Sequence, residues 1–188
     1  MSGTGYVPIA IRPGLVGRDA EIRRLADLAR GAAAGRGALI LIEGEPGIGK
    51  TALLRAALAS AAALFPRRLT GGAEEFDQRM PFATIRTCLQ PLEAGDRRAA
   101  EILALIQGGS AEHPVIEAAL ALVEEWCAAC PVALAIDDLH WADPASLLLL
   151  HRLGREAGQL PLLLAATIRG GTWQSADHGA VPRPAGTP

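Results

Sequence analysis

Asparagine is absent from the 188 residues, lysine occurs once, and aromatic residues make up only 4%. With so few rings, the core has to be packed from Leu, Ala, Ile and Val, and half of the residues are hydrophobic. Net charge is −2, so the basic excess that marks a nucleic-acid footprint is missing and this segment is not expected to touch DNA or RNA directly. Three cysteines are too few for a disulfide framework. Two of them, Cys127 and Cys130, form a C-x-x-C, but no second pair of Cys or His completes a zinc site. They read as half-buried thiols late in an apolar helical run, Val115 to Ala129. No apolar stretch approaches the ~18 residues of a membrane span, and residues 1–13 lack the apolar centre of a signal peptide. The expected location is the cytoplasm.

What is present begins with the single lysine. Lys50 stands in the string GEPGIGKT, Gly44 to Thr51, while the other cationic positions are arginine. Arginine's planar fork is a poor substitute for a compact ammonium on a flexible stem within a tight loop. The spacing fits G-x-x-x-x-G-K-[ST], a loop whose backbone amides cradle phosphates.

The surrounding pattern supplies the context that the motif requires. Residues 1–14 read as a flexible leader, 15–169 as one domain and 170–188 as a disordered tail rich in Pro and Gly. Within the domain, Ala20 to Ala34 has helical periodicity, with Asp19 as a plausible N-cap. Ala38 to Glu43 is a continuous apolar run of the kind a strand buried on both faces needs. The glycine loop follows, then a helix from Thr51 to Leu64. A short strand is expected around Leu69, a loop over Ala73 to Pro81, and helices over Phe82 to Leu92, Arg97 to Gln107 and Pro114 to Ala129. Val132 to Ile136 and Leu160 to Ile168 are further apolar strands, separated by a helix from Pro144 to Glu156. Strands alternating with helices predict an α/β fold, a parallel sheet sandwiched by helices.

Three groups of residues carry chemistry. Gly44, Glu45, Pro46, Gly47, Ile48 and Gly49, with Lys50, Thr51 and Ala52 opening the next helix, form the candidate cofactor-binding loop. Its amides and the helix N-terminus make an anion nest; Lys50 reaches the β- and γ-phosphates, and the Thr51 hydroxyl serves magnesium. The string VALAIDDLHWAD delivers acids at the end of a strand, with Asp137 able to hold Mg²⁺ through water and Asp138 where it can polarise an attacking water. Asp143 reads alternatively as a cap for the helix from Pro144. The third strand ends in Thr167-Ile168-Arg169 at the same sheet edge, where Arg169 is the candidate to contact the γ-phosphate. His140 and Trp141 are assigned no catalytic role. An Asn-Lys-x-Asp guanine-reading string has no counterpart here, which excludes the common GTPase design.

LVGRDAEIRRL, GEPGIGKTALL, IDDLHWADPASLLLL and LPLLLAATIR occur in an order that resembles AAA-like P-loop ATPases of the signal-transducing STAND group. The likeness is to the nucleotide-binding domain of large ATP-dependent LuxR-type transcriptional regulators, and it covers roughly residues 14 to 170. It implies a P-loop NTPase of the ASCE/AAA-like kind with a five-stranded parallel sheet, the P-loop strand lying beside the Walker B strand. It also implies ATP/ADP and Mg²⁺ as cofactors, with Val16, Gly17 and Arg18 near the adenine, Asp137 and Asp138 as Walker B, and Arg169 at or near a sensor position. The family's helical lid and C-terminal effector regions have no counterpart in the sequence, and a fifth strand is expected to be missing with the lid, so the fold is expected to be incomplete at the C-terminus. The function expected is a Mg-ATP-binding switch with slow hydrolysis, since Asp138 stands where many hydrolytic relatives carry the longer Glu. Homo-oligomerisation or DNA-binding and effector domains elsewhere in a longer polypeptide are the implied partnerships. A non-hydrolysing nucleotide-binding or interaction fragment of such a regulator is the alternative.

Overall fold

The computed structural model describes residues 7–10, by backbone alone, and 18–170. Five strands form one parallel sheet: β1 (Val7–Ala10), β2 (Ala38–Gly44), β3 (Arg67–Gly72), β4 (Val132–Asp137) and β5 (Leu162–Arg169). Their spatial order is β1-β2-β5-β4-β3, every neighbouring pair parallel. The helices are α1 (Asp19–Ala33), α2 (Lys50–Ser60), α3 (Ala83–Leu89), α4 (Arg97–Gln107), α5 (Glu112–Ala129) and α6 (Pro144–Glu156).

Strand alternation sends neighbouring side chains of each central strand into different cores. In β4, Val132, Leu134 and Ile136 join the larger core, packed with α3 to α6, whereas Ala133 and Ala135 face a smaller one beneath α1 and α2. In β2, Leu41 belongs to the larger core and Ile40 and Ile42 to the smaller. Both faces are therefore covered, which is why these strands read as unbroken apolar runs.

Several expectations need correction. The strand of the glycine loop, β2, does not lie beside the acid-bearing β4, because β5 stands between them. β5 is buried along its whole length except Arg169, and a central position between two partners satisfies that hydrophobicity and its backbone groups together. Residues 7–10 are an edge strand on β2 and not part of a loose leader, so the sheet has the fifth strand that was expected to be missing. Asp19 is the first residue of α1 and not its cap; with Glu21 it puts negative charge in the first turn, where the helix dipole favours it. The helix expected to reach Leu64 ends at Ser60 and continues as a 3₁₀ turn over Ala62–Leu64. Pro91 similarly ends α3 early, in a 3₁₀ turn over Gln90–Leu92, since its ring nitrogen has no proton to donate. A third 3₁₀ turn, Glu75–Arg79, interrupts the expected loop. The tail 171–188 lies outside the described residues.

Cys88 and Cys127 are buried, Cys130 is half-buried, and all three are free thiols. Burial pushes Cys88 up to about 12 and Cys127, with the added influence of Cys130 and Glu124, up to about 11. Thiols held in the neutral form are poor nucleophiles and poor metal ligands, in keeping with a packing role.

Candidate functional site

The parallel sheet carries the C-terminal ends of β2, β4 and β5 to one edge, where the candidate residues converge. After β2, the chain turns through Gly47 (φ +76°) and Gly49 (φ +87°), both left-handed. Only glycine adopts these angles without a Cβ penalty, and successive turns of this sort aim backbone amides into one concavity. α2 starts directly after Gly49 and has no side-chain cap on its first-turn amides. An uncapped, unshielded helix start offers those N–H groups to an anion.

Lys50 is 8% exposed and is held by the loop it belongs to. Its Nζ donates to Gly44 O at 2.9 Å and Glu45 O at 3.1 Å, which leaves one of three ammonium hydrogens for a ligand. Gly44 O also accepts from the Gly170 amide at 3.1 Å, so the exit of β5 is tied to the base of the loop.

The acids sit across the cleft. Thr51 Oγ1 donates to Asp137 Oδ1 at 3.1 Å, and Thr167 Oγ1 donates to the same oxygen at 2.5 Å. The Asp138 amide in turn donates to Thr167 Oγ1 at 2.8 Å, and Asp138 takes a left-handed φ of +53°. Thr167, completely buried at the centre of the sheet, thus fixes both acids. It shares a face of β5 with Arg169, but Arg169 is exposed and lies level with Gly44 in the register. The hydrogen bonds from the end of β5 to the acids are made by Thr167, a residue that the motif pattern alone did not single out.

Pro46, Gly47, Gly49, Lys50, Thr51, Ala52, Arg55 and Asp138 wall an open cleft of about 450 Å³. Arg55 was not legible as a site residue. The available signal was its spacing, four residues after Thr51 and so on the same face of α2. Arg18 lies behind the loop, nearly buried, and donates through Nη2 to Ile48 O and through Nη1 to Gly49 O at 3.3 Å. It braces the carbonyl side of the loop. Val16 and Gly17, grouped with it by resemblance, lie outside the described residues.

The donor set suits a magnesium ion. Octahedral Mg²⁺ holds oxygens at about 2.0–2.1 Å, so adjacent ligand oxygens lie about 3 Å apart, close to the separation of Thr51 Oγ1 and Asp137 Oδ1. Two protein oxygens with phosphates and water completing the shell is the usual economy of such sites. Beyond the acids, burial lowers the His140 pKa below the ordinary imidazole value; Arg169 and Lys50 reinforce this, and Asp138 and Asp137 oppose it.

A family model for the AAA ATPase domain matches residues 14–165. The chain belongs to this family. An uncharacterised protein of Rhizobium meliloti (strain 1021) is 28% identical over 196 residues, covering 82% of this chain and 18% of the relative. This chain thus spans under a fifth of that relative's length. Among solved structures, Cdc6p from Pyrobaculum aerophilum superposes with a TM-score of 0.58 at 19% identity, over 85% of this chain and 41% of that one. The Aeropyrum pernix ORC2 protein, solved as ADPNP–ADP complexes, gives 0.52 at 19% identity, over 85% and 42%. These likenesses establish the P-loop α/β fold of the AAA domain. Among the described residues, no helix is long and apolar enough to cross a membrane.

Proposed function

We propose that this AAA domain binds Mg-ATP and hydrolyses it slowly, as the switch of a larger cytoplasmic signalling or transcription regulator of the STAND, LuxR-like kind. The observation that carries the reading is the pairing of Thr51, which lines the cleft, with Asp137 at 3.1 Å, beside a glycine loop and Lys50 that line the same cleft. In this reading the loop amides and Lys50 hold the phosphates, Thr51 and Asp137 hold the metal, and Asp138 orients the water. Magnesium, when bound, neutralises charge between the β- and γ-phosphates. The bound nucleotide in the ORC2 structure supports ATP or ADP as ligand. The sequence likeness supports the regulator context, with oligomerisation or effector regions beyond this domain as its output.

Binding of a fluorescent ATP analogue with Mg²⁺ tests the first half: wild type binds, and Lys50→Ala weakens binding by about 100-fold. Equal affinity would remove the loop from the site. Single-turnover hydrolysis tests the second half. A non-hydrolysing nucleotide-binding module is the competing reading, favoured by Asp138, whose short side chain is 49% exposed and not clamped over the cleft. Binding without turnover, wild type matching Lys50→Ala in rate, would select it.

A further inference from the structure

His140 follows the acids in sequence and is used by none of the chemistry above. Its ring lies against Trp141, centroids 5.1 Å apart at a 41° tilt, and its carbonyl accepts from Gln78 Nε2 at 3.4 Å. The side chain is only 10% exposed, and its enclosed Nδ1 has no hydrogen-bond partner. A buried polar atom left unpaired carries a desolvation penalty, so it calls for a partner in some state of the molecule.

Asp138 is that partner. Its Oδ1 stands 3.9 Å from His140 Nδ1, beyond hydrogen-bonding range but within reach of a side-chain rotation. The Asp138 backbone cannot supply the movement, because its amide is held by Thr167 and its φ is left-handed. The carboxylate, half exposed on the wall of the cleft, can. The charges acting on the ring from neighbouring elements are Lys50 on α2, Arg169 on β5, and Asp137 and Asp138 on its own segment.

We propose that His140 is a positioning residue for Asp138: when nucleotide fills the cleft, the Nδ1–H of the neutral ring donates to one Asp138 oxygen and leaves the other turned toward the attacking water. This rests on the Mg-ATP reading above. It gives the shorter acid a second fixed point, which a carboxylate on a strand-end loop otherwise lacks; the ring stays neutral, its single proton passing from Nε2 to Nδ1 by exchange with solvent.

The test uses the full chain and a set of variants chosen to separate donor position from bulk. Asparagine places an amide N–H near the position of Nδ1, whereas glutamine places it one atom farther out. His140→Ala and His140→Gln are expected to lower kcat for ATP by about 10- to 100-fold, with KM and ATP affinity within about twofold, and His140→Asn to keep most of the rate. Ring ¹⁵N spectra give a readout that does not depend on turnover. On loading with Mg²⁺ and a non-hydrolysable ATP analogue, the Nδ1 signal should move to the protonated, hydrogen-bonded position, and Asp138→Asn should abolish the shift. An unchanged Nδ1 signal on loading, or wild-type kcat in His140→Ala while wild type hydrolyses ATP, overturns the proposal. If wild type turns over no faster than Lys50→Ala, the hydrolysis reading fails, and the spectra alone decide whether the His140–Asp138 contact forms.

Discussion

The carboxylate of Asp143 reaches back 61 residues to accept the Phe82 amide at 2.7 Å. The same Oδ1 caps α6 by accepting from the Ser146 amide at 2.8 Å, and Oδ2 accepts from the Thr84 amide at 3.2 Å. One buried acid therefore serves the starts of two helices, α3 and α6, and holds Phe82 in its left-handed turn (φ +62°).

Asp143→Ala should consequently destabilise the fold by about 3 kcal/mol, because a lost cap and two further orphaned, buried amides combine. Urea unfolding measures the change. A loss under 1 kcal/mol would mean that water or Ser146 replaces the carboxylate.

Thr167→Val keeps the shape of the side chain but strips its hydroxyl from near the C-terminal end of β5. The Asp138 amide then loses its partner and Asp137 Oδ1 keeps only Thr51, at about 1–3 kcal/mol of stability. Mg²⁺-dependent ATP binding should weaken by about tenfold. Chelation-controlled titration with and without Mg²⁺ would detect it, and an effect on metal-free binding alone would contradict the assignment.

Gly37 precedes β2, and a Cβ there would sit 2.0 Å from Ala157 O, 2.6 Å from Leu160 O and 2.7 Å from Leu162 O. These are backbone atoms at the entry to β5, which no rotamer change can clear. Gly37→Ala should cost at least about 3 kcal/mol, seen as a thermal midpoint lowered by several degrees or as insoluble protein.

Asp96 offers a pH dependence. Burial pushes its carboxyl up, but the Ala99 amide, the Trp126 indole and the Arg67 guanidinium together outweigh burial and hold it below the usual carboxylate range. It accepts from Trp126 Nε1 at 2.9 Å and from Arg67 at 3.0 Å, and Arg67 also lies over the Trp126 ring at 4.6 Å. A lowered carboxylate contributes stability that is complete above the unfolded value, near 4, and is lost as pH falls through the folded one. Stability measured from pH 7 to pH 3 should fall more steeply in wild type than in Asp96→Asn. Parallel curves would show that Asp96 does not contribute.

How much of this was readable beforehand follows from how locally each feature is encoded. β2, β4 and β5 are buried on both faces, so each appears as an apolar run without reference to its neighbours. β1 is four residues, VPIA, with a proline, and so short an edge strand has no periodicity to detect. Strand order is a property of the assembled sheet, which is why the intervening position of β5 was missed. The glycine loop and the two acids were legible because their residue types and spacing are the chemistry. Thr167 and Arg169 lie two apart and share a face, so alternation could not decide between them. Burial sets which of them bonds the acids, Thr167, and burial is seen only in three dimensions.

The unequal cores on the two faces of the sheet imply an order of melting. α1 and α2 close the smaller core, with Ile40, Ile42, Ala133, Ala135, Leu163 and Ala165 as its floor. α3 to α6 cover the deeper one. Sub-global opening should begin on the α1–α2 side, so amides of α2 would exchange with solvent ahead of those in β4 and β5. The half of the cleft that grips an anion would then be its loose jaw, while the half bearing Asp137, Asp138 and Thr167 stays fixed. An occupant of the cleft would stiffen the domain chiefly by clamping α2, and protection there would report occupancy.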